Sequence, residues 1–281
     1  MGDNVSSSNS TPADARRRPL GVFDSGVGGL SVVAELRRLL PHEDIVYLAD
    51  TANCPYGPRP GAEIRALAEQ ATAFLLDHGA KMIVVACNTA SAAGLAPLRA
   101  RHGPGLPIVG LVPAVKPAVA LTRSGTIGVL ATPATLSGAL LEEVIARFAT
   151  PAGVRVVKDP GCGLVEAVEA GALDSLATRA LLQQALGPLL AAGADALVLG
   201  CTHYPFLRAG IATLAAPHVA LLDSGLGVAR QTHRLLQEQG WANPGPAPGR
   251  LQLYTSGDPA QVGPVIRRLL GEELPVCASW R

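Results

Sequence analysis

The sequence contains little charge and almost no net charge. Charged residues make up 16% of the 281 positions, and the formal net charge is +1. Of the 23 basic residues only three are lysines, and the arginines are scattered. This balance argues against the basic surface that nucleic acids or anionic membranes need. We therefore expect neither nucleic acid nor a membrane among the partners.

Long apolar runs are also missing. No stretch reaches the roughly 20 residues of a membrane-spanning helix, and the N-terminus lacks the apolar core of a signal peptide. Residues 1–18 are rich in Ser, Asn and Ala and end in three arginines, which predicts a disordered tail. The pattern predicts a cytoplasmic protein.

The cysteines show neither CxxC spacing nor an even count. There are five: Cys54, Cys87, Cys162, Cys201 and Cys277. Disulfide frameworks belong mostly to short secreted chains, which this is not. Hydrophobic residues make up 48%, a globular composition. We expect reduced thiols in a globular protein.

Short apolar runs alternate with stretches of helical spacing. The predicted strands cover residues 20–23, 45–48, 82–86, 108–111, 126–130, 154–157, 196–199, 219–222 and 251–254. The runs are continuous, as in strands buried on both faces. Alternating β and α units predict an α/β fold with mainly parallel sheets.

Two internal repeats predict two related halves. Residues 22–26 (VFDSG) resemble 221–225 (LLDSG), and 82–89 (MIVVACNT) resemble 196–203 (ALVLGCTH). We place a first α/β domain at 19–112 plus 223–281 and a second at 113–222. A proline at 113 interrupts the pattern at the first boundary. The expected active site lies in the cleft between the domains.

The repeated strand-to-cysteine junction is the sharpest chemical signal. Cys87 and Cys201 each end a buried strand and precede a polar pair. A following helix N-terminus or a cation can lower a thiol pKa, so one thiolate and one thiol can serve as base and acid. His203 is placed to tune Cys201. Burial of each cysteine as a small apolar residue is the plain alternative.

A metal site is a competing interpretation of the same residues. Cys87, Cys201 and His203 are zinc-ligand types, but no further close Cys/His pair completes a set. Pyridoxal phosphate needs a Schiff-base lysine, and none of the three lysines has a phosphate-binding context. We expect no metal and no cofactor.

Three further segments carry polar residues at candidate positions. Asp24 and Ser25 lie where ligands of open α/β sheets bind, although Asp24 alone could simply cap a helix. A Pro/Gly loop at residues 50–57 could cover a site. Glu166 and Glu169 are neighbours on a helix face, so either could orient His203 or remain solvated.

Four motifs together closely resemble the bacterial glutamate racemases. They are residues 23–31 (FDSGVGGLS), 55–57 (PYG), 86–91 (ACNTAS) and 199–205 (LGCTHYP). The resemblance runs from about residue 20 to the C-terminal segment. It implies a two-domain α/β enzyme that interconverts L- and D-glutamate without a cofactor, for peptidoglycan synthesis.

The resemblance also implies a set of site residues. Cys87 and Cys201 correspond to the catalytic thiols, with Cys87 acting on D-glutamate and Cys201 on L-glutamate. Asp24 would assist Cys87, whereas His203 and Glu166 would assist Cys201. The implied substrate contacts are Asp24, Ser25, Tyr56, Gly57, Asn88, Thr89, Thr202 and His203.

Other functions remain open at this point. A non-catalytic amino-acid-binding protein would use the same cleft without needing paired thiols. A thiol-redox protein would need a resolving cysteine nearby in sequence, which is not found. Aspartate racemases share the two-cysteine plan, but His203 occupies the position where they typically carry Glu. The sequence leaves a homodimer open.

Overall fold

Two parallel sheets form the centre of the molecule. The computed structural model describes residues 12–279. Its strands are β1 (Leu20–Asp24), β2 (Ile45–Ala49), β3 (Met82–Val85), β4 (Ile108–Gly110), β5 (Thr126–Leu130), β6 (Arg155–Asp159), β7 (Ala196–Leu199), β8 (Ala220–Leu222), β9 (Leu251–Thr255) and β10 (Val276–Ala278). One sheet has the order β10-β9-β2-β1-β3-β4 and the other β6-β5-β7-β8. All pairings are parallel, so the predicted α/β class is confirmed.

Helices connect the strands and cover the sheets. They are α1 (Pro12–Arg17), α2 (Leu30–Leu39), α3 (Gly61–Asp77), α4 (Asn88–His102), α5 (Val115–Leu121), α6 (Pro133–Leu136), α7 (Ala139–Val144), α8 (Leu164–Glu169), α9 (Leu176–Ala191), α10 (Arg208–Leu214), α11 (Gly225–Gln239) and α12 (Pro259–Leu270). Short 3-10 turns lie at Thr51–Asn53 and Tyr204–Leu207, and a π turn lies at Ile145–Ala149. No helix in the described part of the chain is long and apolar enough to cross a membrane.

Strand side chains alternate between two apolar layers. In β1, Val22 belongs to the cluster that includes α2 and α11, whereas Phe23 belongs to the cluster that includes α3 and α4. Every residue of β1, β2 and β3 is buried, as expected for parallel strands covered on both faces. The centre of the first sheet is therefore buried on both faces, and polar residues follow directly beyond its strands.

The first sheet combines strands from both ends of the described chain. Strands β9 and β10 return to pair beside β2, as the predicted crossing back after residue 222 requires. The domain bounds themselves stay a prediction. Strand β10 was missed because it is short and mostly exposed.

Part of the predicted tail is helical. Residues 1–11 lie outside the described residues, but α1 covers Pro12–Arg17. Arg18 Nε donates to the Gly79 carbonyl at 2.8 Å, and Lys81 Nζ donates to the Arg16 carbonyl at 2.9 Å. The prediction of disorder was wrong for this segment, because these long-range hydrogen bonds are invisible in local composition.

A buried ion pair anchors this end of the sheet. Lys81 Nζ lies 2.6 Å from Glu43 Oε2, and both side chains are almost fully buried. Lys81 also donates to the Trp241 carbonyl at 2.9 Å. Burial lowers the pKa of Lys81, although Glu43 opposes that shift. Lys81 thus has a structural setting at the start of β3, opposite the strand end that carries Cys87.

Candidate active site

The pairing of β1 and β3 brings Ser25 and Cys87 together. Phe23 is aligned with Val85, and the Ala86 amide donates to the Phe23 carbonyl at 2.7 Å. Both strands therefore end at the same edge of the sheet. Beyond it, the Cys87 thiol lies 3.7 Å from the Ser25 hydroxyl.

Cys87 also starts helix α4. It is the N-cap residue, and its sulfur accepts a hydrogen bond from the Ala90 amide at 3.4 Å. Burial nevertheless raises the pKa of Cys87 well above its ordinary value, and the neighbouring Asp24 charge raises it further. The hydrogen bonds with Ala90 and Ser25 oppose this shift without overcoming it. In the closed site, Cys87 is therefore a thiol.

Asp24 links the loop after β1 to the loop after β7. Its Oδ2 accepts from the Gly29 amide at 2.6 Å and from the Thr202 hydroxyl at 3.2 Å. Its Oδ1 accepts from the Ser25 amide at 2.7 Å. Burial raises the pKa of Asp24, and nearby His203 opposes this. Asp24 therefore does more than support the start of α2, since it also contacts the second sheet's loop.

The second sheet repeats the arrangement at β5 and β7. Leu130 is aligned with Leu199, and the Gly200 amide donates to the Leu130 carbonyl at 2.8 Å. Thr132 and Cys201 leave this sheet as Ser25 and Cys87 leave the first. Thr132 was not among the residues that the sequence predicted for the site. The signal that could have found it is its position just after β5, the strand that pairs with β7.

Cys201 is the first of three polar side chains that lie in contact in a row. Its sulfur lies 3.6 Å from His203 Nδ1, and His203 Nε2 lies 2.6 Å from Glu169 Oε1. Glu169 Oε1 also accepts from the Val27 amide at 2.7 Å. Both His203 and Cys201 are buried. This row of hydrogen-bonded side chains thus extends from the Cys201 thiol to the loop that follows β1.

The carboxylate that contacts His203 is not the one that the sequence predicted. Glu166 is exposed, whereas Glu169, three residues later, contacts His203. The two glutamates share a helix that starts at Leu164, and the sequence supplies no register for it. The predicted Glu166–His203 pairing is therefore wrong, and Glu169 occupies that position.

The surroundings of His203 favour its charged form. Burial lowers the pKa of His203, but hydrogen bonding and charge interaction with Cys201 raise it, and hydrogen bonds with Cys54 and Glu169 add to the rise. The net pKa lies well above the ordinary value. His203 can therefore hold a proton between Cys201 and Glu169.

Two glycines leave space for the Glu169 and His203 side chains. A Cβ on Gly28 would overlap the His203 ring, and one on Gly26 would overlap the Glu169 carboxylate. The glycines of the loop after β1 thus let the His203 and Glu169 side chains approach its backbone closely.

The Pro-Tyr-Gly loop covers the site from the end of β2. The Tyr56 hydroxyl donates to Asp50 Oδ2 at 2.5 Å, and Ser256 donates to Asp50 Oδ1 at 2.5 Å. Burial, followed by the charge of Asp50, raises the pKa of Tyr56 well above its ordinary value. Tyr56 thus lines the site while its hydroxyl is held by Asp50.

The thiols border one small cavity. Its volume is about 10 Å³, which is about the space for one water molecule. The lining residues are Ser25, Pro55, Tyr56, Gly57, Cys87, Asn88, Thr89, Thr132, Val165, Cys201, Thr202 and His203. Every predicted substrate contact except Asp24 lines this cavity. Asp24 instead lies behind it, bonded to Thr202.

Hydrogen bonds close the cavity across the two sheets. The Thr89 and Thr132 hydroxyls are 2.8 Å apart, and Ser31 donates to the Thr202 carbonyl at 2.9 Å. Asn88 Nδ2, beside the cavity, is a buried donor with no hydrogen-bond partner among the described residues. This donor belongs to a residue that lines the cavity between the thiols.

The competing zinc interpretation, with Cys87, Cys201 and His203 as ligands, does not correspond to a cluster in the described residues. Among residues 12–279, the group of possible metal-ligand side chains within 4.8 Å of one another is Cys54, Glu169 and His203. Cys87 and Cys201 belong to no such group in that range. The two repeated cysteines are therefore separate thiols.

The fold and the site together define a class of protein. It is an α/β enzyme with two buried thiols at corresponding strand ends, each beside polar partners and facing a closed polar cavity. The model of the Asp/Glu/hydantoin racemase family matches residues 28–232. The chain belongs to this family.

Individual relatives agree with this assignment. The chain is 53% identical to the glutamate racemase of Deinococcus radiodurans over 260 residues, which are 92% of this chain and 89% of the relative. A glutamate racemase isoform of Bacillus anthracis has a TM-score of 0.82 at 32% identity, with 93% of this chain and 97% of the other covered. The glutamate racemase of Francisella tularensis, solved with D-glutamate, has a TM-score of 0.81 at 31% identity, covering 95% and 98%. The predicted resemblance is confirmed.

Proposed function

We propose that the protein is a glutamate racemase that works through Cys87 and Cys201 without an added cofactor. The observation that carries this proposal is the matched placement of two buried thiols around one cavity. Racemisation needs one group to remove the α-proton and another to return a proton to the opposite face. Two thiols at corresponding strand ends suit this division.

The two thiols have different partners and hence different resting roles. Cys201 faces His203, which Glu169 holds at 2.6 Å. Cys87 is buried beside Asp24, and its raised pKa keeps it protonated in the empty site. Cys201 therefore serves as the base toward L-glutamate and Cys87 as the acid. The α-proton passes to the Cys201 sulfur, the carbanion takes the Cys87 proton, and D-glutamate starts the reverse reaction.

Substrate carboxylates are held by neutral donors. The described residues lining the cavity include no arginine or lysine. Helix α4 starts at Asn88, so its free backbone amides and positive dipole end favour an anion there. Hydroxyls of Ser25, Thr89 and Thr202 and the free Asn88 amide supply further donors. These fixed dipoles stabilise the negative charge that develops on the substrate.

The cleft must open to admit glutamate. The cavity of about 10 Å³ cannot hold an amino acid. The Thr89–Thr132 and Thr202–Asp24 hydrogen bonds link the loops of the two sheets and break when the sheets separate. Reclosure then excludes water and strengthens the electrostatic contacts.

The test is racemisation in deuterated water. Purified protein with L-glutamate and no cofactor should lose optical rotation as deuterium enters the α-position. Cys87→Ala and Cys201→Ala should each abolish this in both directions, because every turnover uses both thiols. Cys162→Ala, at an exposed thiol, should leave it unchanged. Near-normal activity in either catalytic variant refutes the two-base scheme, and activity on aspartate alone refutes the substrate assignment.

The cellular role follows from the same proposal. D-glutamate is a building block of peptidoglycan, so a glutamate racemase supplies cell-wall synthesis from the cytoplasm. Both the role and the location stay predictions for this chain, as does a homodimer.

A further inference from the structure

We propose that Cys54, Glu169 and His203 form a binding site for a divalent cation of the zinc class, and that its occupation switches racemisation off. The proton-transfer scheme uses Glu169 and His203, whereas Cys54 transfers no proton and only hydrogen-bonds His203. This third thiol lies in the loop between β2 and α3 and is half-buried. The role of Cys54 is indicated by the side chains near it, Glu169 and His203.

The three side chains approach one point from different elements. One ligand atom from each lies within 4.8 Å of the other two. Cys54 comes from the loop after β2, Glu169 ends α8, and His203 follows β7. Gly26 adjoins them: its missing Cβ would lie 3.0 Å from the Cys54 sulfur and would overlap the Glu169 carboxylate. The glycine thus lets a thiol and a carboxylate converge.

The distances suit a tetrahedral metal after small movements. Zinc bonds of ~2.0–2.3 Å place tetrahedral ligand atoms ~3.4–3.6 Å apart. The Glu169–His203 distance of 2.6 Å must widen by about 1 Å, and the contacts to sulfur must fall from at most 4.8 Å to that range. Each change is on the order of 1 Å.

The donor set selects the kind of metal. A thiolate, an imidazole and a carboxylate are the ligands of zinc and chemically similar ions. Magnesium and calcium prefer sites made only of oxygen. The three ligands leave the fourth tetrahedral position for water.

A second cavity reaches the cluster at Glu169. It has a volume of about 220 Å³ and includes Glu169, Thr51, Asp258 and Gln261 in its lining. His203 lines the small cavity between the thiols instead. Glu169 and His203 thus border different cavities, and an ion can reach Glu169 from a side other than that of the catalytic thiols.

Binding removes the groups that serve Cys201. The metal forms bonds to the Cys54 sulfur, a His203 nitrogen and a Glu169 oxygen, and no electrons are transferred. The Cys54 thiol proton and the His203 Nε2 proton leave to solvent, and the Glu169–His203 hydrogen bond is lost. His203 is then held by the metal, so it can no longer exchange a proton beside Cys201. The loss of activity rests on the proposed function, whereas the binding does not.

Cobalt is the probe for binding. Titration of the metal-free protein with Co²⁺ should give one ion per chain and a sulfur-to-cobalt absorption band. Cys54→Ala and Cys54→Ser should both lose the band, and Glu169→Gln should weaken Co²⁺ binding by at least ~10-fold. The double variant Cys162→Ala/Cys277→Ala, at exposed thiols, should keep the band. A band that survives in both Cys54 variants, or that disappears only with the exposed thiols, overturns the site.

Activity is measured separately with zinc. Zn²⁺ should inhibit racemisation and a chelator should restore it. The Cys54 variants should need at least ~10-fold more Zn²⁺, because one of three ligands is missing. Racemisation by metal-free Cys54→Ala, together with native circular dichroism, controls for folding. Cobalt binding through Cys54 without any racemase activity refutes only the proposed function. Racemisation without a Cys54-dependent band refutes only the metal site.

Discussion

Replacing Glu169 by Gln should slow proton transfer at Cys201, whereas the same change at Glu166 should not. Glu169 accepts from both His203 and the Val27 amide, and Glu166 is exposed three residues earlier on the same helix. The two variants remove one negative charge each from α8. They differ in whether that charge contacts the buried imidazole.

The size of the effect follows from the hydrogen bond. A hydrogen bond to a charged group contributes about 1.5–3 kcal/mol, and about 1.36 kcal/mol changes a rate tenfold. Glu169→Gln should therefore lower kcat/KM by about 10- to 100-fold. The fall must be equal for L- and D-glutamate, because enantiomers have equal free energy. Glu166→Gln should stay within about twofold, because surface substitutions change free energies by only about 0.5 kcal/mol.

Isotope effects show which thiol is affected. In Glu169→Gln, transfer at Cys201 should become rate-limiting in both directions. The deuterium effect on kcat/KM should rise for α-deuterated L-glutamate, whose bond Cys201 breaks. It should fall for α-deuterated D-glutamate, whose bond Cys87 breaks. Unchanged isotope effects, or a loss of activity in Glu166→Gln alone, would refute the assignment of Glu169.

The pH profile gives an independent readout. Hydrogen bonding to Glu169 is among the causes that raise the pKa of His203. Because this folded-state pKa is raised, protonated His203 stabilises the fold below its ordinary pKa, and that contribution disappears as pH rises through the raised value. Activity that needs the charged imidazole should fall over the same upper range. Glu169→Gln should move this alkaline limb to lower pH, and an unmoved limb would contradict the role.

Two further pairs of substitutions test the surrounding structure. Gly28→Ala should displace the His203 ring that its Cβ would overlap. We expect kcat/KM to fall by about 100-fold, since misplacement of a catalytic group by about 1 Å can cost that much. The control Gly187→Ala lies in a helix with open space around it, so it should preserve activity and raise the free energy of unfolding by about 0.5–1 kcal/mol. Lys81→Met leaves the buried Glu43 carboxylate unpaired and should lower the free energy of unfolding by about 3–5 kcal/mol in urea titrations. Lys158→Met removes a more exposed ion pair and should cost at most about 1 kcal/mol. Equal losses in the two variants would contradict the buried pairing.

Local patterns were sufficient for most of the architecture. Continuous apolar runs predicted β1, β3 and β7 because strands covered on both faces leave no polar alternation. The repeated junctions predicted Cys87 and Cys201 at strand ends, because a run of apolar residues that stops at a polar pair marks the edge of the sheet. These signals lie within a few residues of the feature that they predict.

Contacts between distant segments were not accessible in this way. Helix α1 depends on hydrogen bonds to residues more than 60 positions away, such as the bond from Lys81 to the Arg16 carbonyl. Thr132 belongs to the site because β5 pairs beside β7. Cys54 meets Glu169 and His203 only where loops of the two sheets converge.

The two glutamates of α8 separate the two kinds of information most clearly. The sequence by itself determined the parallel α/β plan, the thiol pair and a glutamate-bearing helix, since each depends on local patterning and motif. Only the tertiary structure decided that Glu169 and not Glu166 contacts His203. Rotation of the helix against the loop after β1 makes that choice. It depends on packing between segments more than 100 residues apart, including the Val27–Glu169 hydrogen bond, which no local pattern encodes.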